Sequence, residues 1–359
     1  MKAAVCREFN APLVIEDVQL AVPGPGEIRV KTAACAICHS DISYADGAWG
    51  GNLPAVYGHE ASGVVEEVGP GVRNIAVGDH VVVTLIRSCG SCHYCSRGEQ
   101  VVCSTAFPLD RQSPLTNASG ESYEHGLRTG GFAEQMVVDQ SQAVVVSKDM
   151  PLDSASLLAC GVITGFGSVV NTAGMEAGSN VVVIGTGGVG LNAVQGAALA
   201  GANRVIAVDI SEDKLKAARA FGATDTINAT ANDASKQVKA LTGGRRADYV
   251  FVTVGVKSAI QQAFSFLGRS GSIVLVGMPE SGVMVDFDPG ILAAIGQRII
   301  GSKMGSSRIQ VDIPMLVDLY NQKRLKLDEL ITGRYPLDQI NDAIAGVKNG
   351  TALRNVIVF

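Results

Sequence analysis

Residues 181–209 read "VVVIGTGGVGLNAVQGAALAGANRVIAVD", and this stretch decides the fold. Val181 to Ile184 form an apolar run without polar alternation, the mark of a strand buried on both faces of a parallel sheet. Glycines follow at Gly185, Gly187 and Gly190, directly ahead of a helix-like run. In that setting the first glycine permits a tight turn, the second lets a pyrophosphate approach the backbone, and the third lets helix pack on strand. The helix N-terminus, with Gly188 and Val189 in its first turn, then turns unpaired N–H groups toward the phosphates. A second buried strand ends on Asp209, 24 residues after Gly185. A carboxylate there accepts from both ribose hydroxyls and repels a 2′-phosphate, so NAD is expected over NADP. A glycine motif alone is weak; the plainer alternative is a glycine turn with Asp209 as a cap.

The same texture extends outward. From about 179 to 303, apolar runs ("DYVFVTV", "GSIVLVG", "RIIGS") alternate with helix-like segments ("EDKLKAARAFGA", "SAIQQAFSFL"). That alternation predicts a parallel sheet covered on both faces, a doubly wound α/β domain. Residues 1 to about 160 differ. Short alternating strands such as "EIRVKTAA" and "DHVVVTL", broken by glycine and proline, suggest a barrel or sandwich. After about 305 the pattern is mixed again. A chain of 359 residues suits two domains. The expected layout is a doubly wound domain over 162–304 inserted into a β-rich domain made of 1–161 and 305–359.

A net charge of −5 offers no basic face for nucleic acid. The start, "MKAAVCREFN", has no apolar run of signal-peptide length, and no stretch reaches membrane-spanning length. The expectation is therefore a cytoplasmic protein in a reducing compartment, with no membrane partner. "SCGSCHYCSRGEQVVCS" (88–104) holds four of the eight cysteines. Two disulfides in so short a segment would force strained loops, and a chain of this size needs no disulfide scaffold. The spacing Cys89-x2-Cys92-x2-Cys95-x7-Cys103 suits four thiolates around a structural zinc. An iron–sulfur cluster is the rival, although the ferredoxin run continues with a closer fourth cysteine and a proline. Unliganded thiols are the remaining reading.

Cys38, His59, Glu60 and Cys160 lie too far apart for spacing to join them. Taken singly, Cys160 is a small core residue and His59 a satisfied loop histidine. The run Gly58-His59-Glu60-x2-Gly63-x5-Gly69-x2-Val72, however, resembles the signature of zinc-containing alcohol dehydrogenases of the medium-chain dehydrogenase/reductase superfamily. The four-cysteine lobe, "LLACGVITGFGS" and "GTGGVG" follow in that family's order, and the similarity extends to "LRNVIVF". It is greatest toward the branch containing glutathione-dependent formaldehyde dehydrogenases.

The resemblance implies a Rossmann domain inserted in a GroES-like catalytic domain. It also implies a second, catalytic zinc on Cys38, His59 and Cys160 with a fourth position open, the ligand set known for alcohol dehydrogenases. An alcohol ionised there passes hydride to NAD. Asp41 would orient His59, Glu60 would approach the metal transiently, and Ser40 would take the alcohol proton. The family often ends this relay in a histidine three residues after Ser40, where Ser43 stands here. His39 and Arg354 would contact the pyrophosphate, Lys214 the ribose, and Thr164 and the Val276 carbonyl the nicotinamide. Read without the family, His39, Lys214 and Arg354 are ordinary surface charges.

Trp49, Leu85 and Met278 would line an alcohol channel suited to aromatic, allylic or medium-chain primary alcohols. Trp49 serves equally as a core or loop residue. Lys303 falls where an apolar pocket residue is expected. The glutathione-dependent branch carries an arginine at the place of Phe107, and here Arg111 comes only later. The leading expectation is a zinc alcohol dehydrogenase acting on a small-molecule alcohol or aldehyde, assembled as a homodimer or homotetramer. S-(hydroxymethyl)glutathione dehydrogenase is the alternative within enzymes, ahead of polyol dehydrogenase, whose members usually lack the ligand that Cys160 supplies. A non-catalytic nucleotide-binding relative would lack at least one of Cys38, His59 and Cys160, and all three are present.

Overall fold

The computed structural model describes residues 1–230 and 233–359. They form two compact units, one of Met1–Cys160 with Arg308–Phe359, the other of Gly161–Ser307.

In the first unit the long strand Glu27–Ala36 organises a seven-stranded sheet. One of its edges pairs antiparallel with Glu60–Val68. Along its other edge, Gln135–Asp139 pairs with residues 27–31 and Arg354–Val358 with residues 34–36. Ile28, Val30, Val81, Val83, Phe132 and Ile357 fill the core beneath it. The pairing Ala36↔Glu60 brings two strand ends side by side. The chain leaves the first through Cys38 into the helix His39–Ala45 and enters the second through His59. Cys160 follows the short helical turn Leu157–Ala159.

The second unit is a six-stranded parallel sheet. Its order is Asp225–Asn228, Arg204–Asp209, Asn180–Ile184, Ala247–Val252, Leu267–Leu275, Arg298–Gly301. Numbered in chain order within the unit, that is 3-2-1-4-5-6, the Rossmann arrangement. Every residue of Asn180–Ile184 is buried, as its lack of polar alternation requires. Chain direction reverses beside this strand, and the glycine loop leaves its carboxyl end, where such sheets bind ligands. No single helix among the described residues is long and apolar enough to cross a membrane.

Candidate active site

Cys38, the residue ahead of the helix His39–Ala45, is 5% exposed. Asp41, in the first turn, is nearly buried and joins three elements. Its Oδ2 accepts the Cys38 N–H at 3.1 Å, while its Oδ1 accepts the Gly58 N–H at 2.9 Å. The same Oδ1 accepts from His59 Nδ1 at 2.8 Å. An Nδ1 that donates leaves Nε2 with its lone pair. His59 is fully buried and its Nε2 has no hydrogen-bond partner. One ligand atom each from Cys38, His59, Glu60 and Cys160 lies within 4.8 Å of all the others, and all four residues are buried.

The electrostatics suit a cation at that point. A hydrogen bond from Cys160 is the largest influence pushing the Cys38 thiol well below its usual range, against burial and with help from His59. Burial opposes charge on His59, but Asp41 and Cys38 together hold it well above the usual imidazole range. Such a site favours positive charge beside its sulfurs, and a divalent ion meets that demand better than a proton. Burial pushes Glu60 up to about 7 against the pull of Arg354. Glu60 and Arg354 form a buried ion pair. Arg354 is thus no surface charge, contrary to the plainer sequence reading.

Replacing Asp41 with Asn should keep the helix start but loosen the imidazole's orientation. The expected result is zinc affinity or activity lower by about 10- to 100-fold. Equilibrium dialysis against a competing chelator checks this, and unchanged affinity would remove Asp41 from its role.

The lobe gathers Cys89, Cys92, Cys95 and Cys103 with their sulfurs within 4.8 Å of one another. Cys92 and Cys103 are 3.9 Å apart at sulfur, and every cysteine in the chain is a free thiol. Backbone N–H groups of Cys92 and Cys95 donate to the sulfurs of Cys89 and Cys92 at 3.2 and 3.5 Å. A hydrogen bond from Thr105, then backbone donors, push Cys89 down to about 5, whereas burial pushes Cys95 up to about 12. Clustered sulfurs with converging backbone donors fit a tetrahedral metal.

In the nucleotide unit a Cβ built on Gly190 would sit 1.8 Å from the Gly185 carbonyl oxygen. At Gly187 a Cβ would meet nothing within 4 Å, which leaves the open approach a pyrophosphate needs. Asp209 Oδ2 accepts the Thr186 N–H at 2.6 Å and its hydroxyl at 3.0 Å, while Oδ1 accepts the Ser211 N–H at 3.0 Å. The carboxylate is thereby fixed at the end of its strand. Lys214 is half-buried in the first turn of the helix Glu212–Ala220. Thr164 is nearly buried, its hydroxyl 3.7 Å from the Met304 sulfur, and Val276 donates its N–H to the Val252 carbonyl at 2.9 Å.

The remaining expected residues are scattered. Ser40, Ser43, Trp49 and Leu85 are half-buried and His39 is exposed, all in the first unit. Trp49 packs edge-on against Tyr44 with ring centroids 5.2 Å apart. Met278 and Lys303 are exposed in the second unit. Phe107 stacks under the Arg87 guanidinium, 5.7 Å from ring centroid to Cζ, and Arg111 is exposed. The buried Arg87 and the Glu60–Arg354 pair escaped the sequence reading. A lone arginine inside "VVVTLIRSC" was the only visible signal of the former.

A Rossmann unit with an open glycine loop, together with a barrel unit holding a buried Cys–His–Cys set, describes the class of metal-assisted dehydrogenases. Residues 24–148 match the model of the alcohol dehydrogenase GroES-like domain, and residues 188–322 that of the zinc-binding dehydrogenase domain. The NDMA-dependent alcohol dehydrogenase of Amycolatopsis methanolica is 38% identical, the match covering 99% of this chain and 98% of that one. A probable S-(hydroxymethyl)glutathione dehydrogenase of Schizosaccharomyces pombe is 37% identical, covering 99% and 96%. The crystal structure of benzyl alcohol dehydrogenase from Acinetobacter calcoaceticus superposes with a TM-score of 0.93 at 32% identity, covering 100% and 99%. The chain belongs to the zinc-binding alcohol dehydrogenase family and is an oxidoreductase.

Proposed function

We propose that the chain oxidises a primary aromatic, allylic or medium-chain alcohol reversibly to the aldehyde, with NAD as hydride acceptor and two zinc ions per chain. The observation that carries the reading is the buried cluster of Cys38, His59 and Cys160, with Asp41 directing the orphaned Nε2 of His59 toward the sulfurs. Zinc held by these three residues would act as a Lewis acid that lowers the pKa of a bound alcohol. The nicotinamide cofactor would accept the hydride.

The chain's own groups do the rest. Two thiolates lower the net charge of the site, which eases departure of a neutral aldehyde. Ser40 takes the alcohol proton and passes it on. Ser43 stands where the family's relay often has a histidine, so that proton leaves through water. Cys89, Cys92, Cys95 and Cys103 hold the second, structural zinc. Gly185, Gly187, Gly188, Val189 and Gly190 cradle the pyrophosphate, with Lys214 and Thr164 at the ribose and nicotinamide. Glu60 neutralises Arg354 inside the fold, which limits how far the arginine reaches toward phosphate.

Asp209 fixes the choice of dinucleotide. An Asp209→Asn variant should lose about tenfold in kcat/KM with NAD, the value of one charge-assisted hydrogen bond, and gain with NADP. A native enzyme that already prefers NADP would overturn this assignment.

The test of function is NADH formation with ethanol, hexanol, benzyl and cinnamyl alcohols, and formaldehyde with glutathione. Each is run with and without NDMA, because one relative is named as dependent on it. Strong turnover of the aromatic or longer alcohols is expected. Activity confined to the glutathione adduct would replace this reading with that of S-(hydroxymethyl)glutathione dehydrogenase. Phe107 argues against that alternative, since its ring is engaged by Arg87 and offers no cation to a carboxylate.

The edge strand Arg298–Gly301 leaves one side of its backbone unpaired, with Ile299 partly exposed. Such an edge invites a second copy. A homodimer or homotetramer in the cytoplasm is the reading that sedimentation velocity and cell fractionation would check.

A further inference from the structure

We infer that Arg87 is a positioning residue whose buried guanidinium fastens the four-cysteine lobe to the segment bearing Leu85, so that the lobe sets the substrate wall. The inference rests on the reading of Leu85 as part of that wall.

Arg87 is 1% exposed, two residues after Leu85 and two before Cys89. Its Nε donates to Gln142 Oε1 at 2.8 Å, its Nη1 to Asp110 Oδ1 at 2.9 Å, and its Nη2 to the Arg128 carbonyl at 3.2 Å. Phe107 covers one face of the fork. Phe107 and Asp110 follow Cys103, so Arg87 closes the lobe at its root from the upstream side.

Gln142 carries the restraint back toward Leu85. Its Nε2 donates to the Thr84 carbonyl at 2.8 Å, and its own carbonyl accepts the Thr84 N–H at 2.9 Å. The Thr84 hydroxyl accepts the Ile86 N–H at 3.0 Å, and Ser88 N–H donates to Ser141 Oγ at 3.0 Å. Leu85 therefore sits in a run pinned on both sides by one buried polar network.

Charge agrees with geometry. Four thiolates around a divalent ion leave a net negative lobe. Arg87 and Arg128 share the single carboxylate Asp110, which leaves the root of the lobe positive. Buried His125 adds no charge near neutral pH, since burial pushes it down to about 4. Lysine keeps the charge but not the planar three-way fork, so Arg87→Lys separates the two contributions.

Three variants are compared with the native enzyme: Arg87→Lys, Asp110→Asn and Leu85→Ala. Each is assayed with benzyl alcohol, with NADH binding followed by fluorescence and zinc release by a chromogenic chelator. In Arg87→Lys and Asp110→Asn the alcohol KM should rise about tenfold, the scale of one charge-assisted hydrogen bond. The kcat should stay within about twofold, NADH affinity should not change, and one of the two zincs should leave faster. Leu85→Ala should raise KM without hastening zinc release. If Leu85→Ala raises KM while neither network variant does, the coupling is refuted. If faster zinc release comes with an unmoved KM, Arg87 is a structural staple alone. If none of the three moves KM, the Leu85 reading falls, and the inference with it.

Discussion

A Cys38→Ser chain should fold, bind nucleotide, and lose alcohol turnover by about 10³-fold or more, the scale of removing one main electrostatic stabiliser of a reacting oxygen. A serine hydroxyl stays protonated where a thiolate would bind metal, so His59 and Cys160 are left with too few donors for a closed grip. The fold should survive, because serine is smaller than cysteine and Asp41 still accepts the residue-38 N–H. NADH fluorescence, zinc content and turnover on one preparation separate these effects. Full activity with both zincs retained would remove Cys38 from the catalytic set.

Cys92→Ser should do the reverse. Cys92 Sγ lies 3.9 Å from Cys103 Sγ and receives the Cys95 N–H, so its loss opens the cluster at its middle. The lobe has few apolar residues to hold its shape, and loss of a metal is among the changes that exceed about 4 kcal/mol. For a unit of this size that amounts to a fall of about 10 °C or more in melting temperature. Calorimetry with zinc analysis tests it. A variant that melts with the native protein and still binds two zincs would refute the structural site. Reduced kcat in the surviving folded fraction, without loss of stability, would also count against it.

The wound half of the molecule was legible because its signals are local. A strand, its glycine turn, the helix and Asp209 all fall within 29 residues. The metal-binding half was legible only in pieces. Cys89 to Cys103 are close in sequence, whereas Cys38, His59 and Cys160 meet only through the strand pairing Ala36↔Glu60 and a turn far along the chain. No spacing encodes that meeting; the family signature supplied it. Burial of charge was hardest to read. Arg354 looks like a surface cation until the ion pair with Glu60 is known, and Arg87 looks accidental until its three acceptors are counted. A charged side chain deep inside depends on partners that only tertiary structure brings together.

The first unit is stitched from two distant parts of the chain, and this orders its assembly during synthesis. Residues 161–307 are contiguous and can fold as soon as they emerge. The edge at residues 34–36 must wait more than three hundred residues for Arg354–Val358. Until then the ribosome-bound barrel presents an open strand and a buried Glu60 without its arginine, beside thiols already able to bind metal. Nascent chains are therefore most exposed to misligation and edge-to-edge sticking just before residue 354 is made. Translation rate and zinc supply at that moment should govern yield more than the stability of the finished enzyme does.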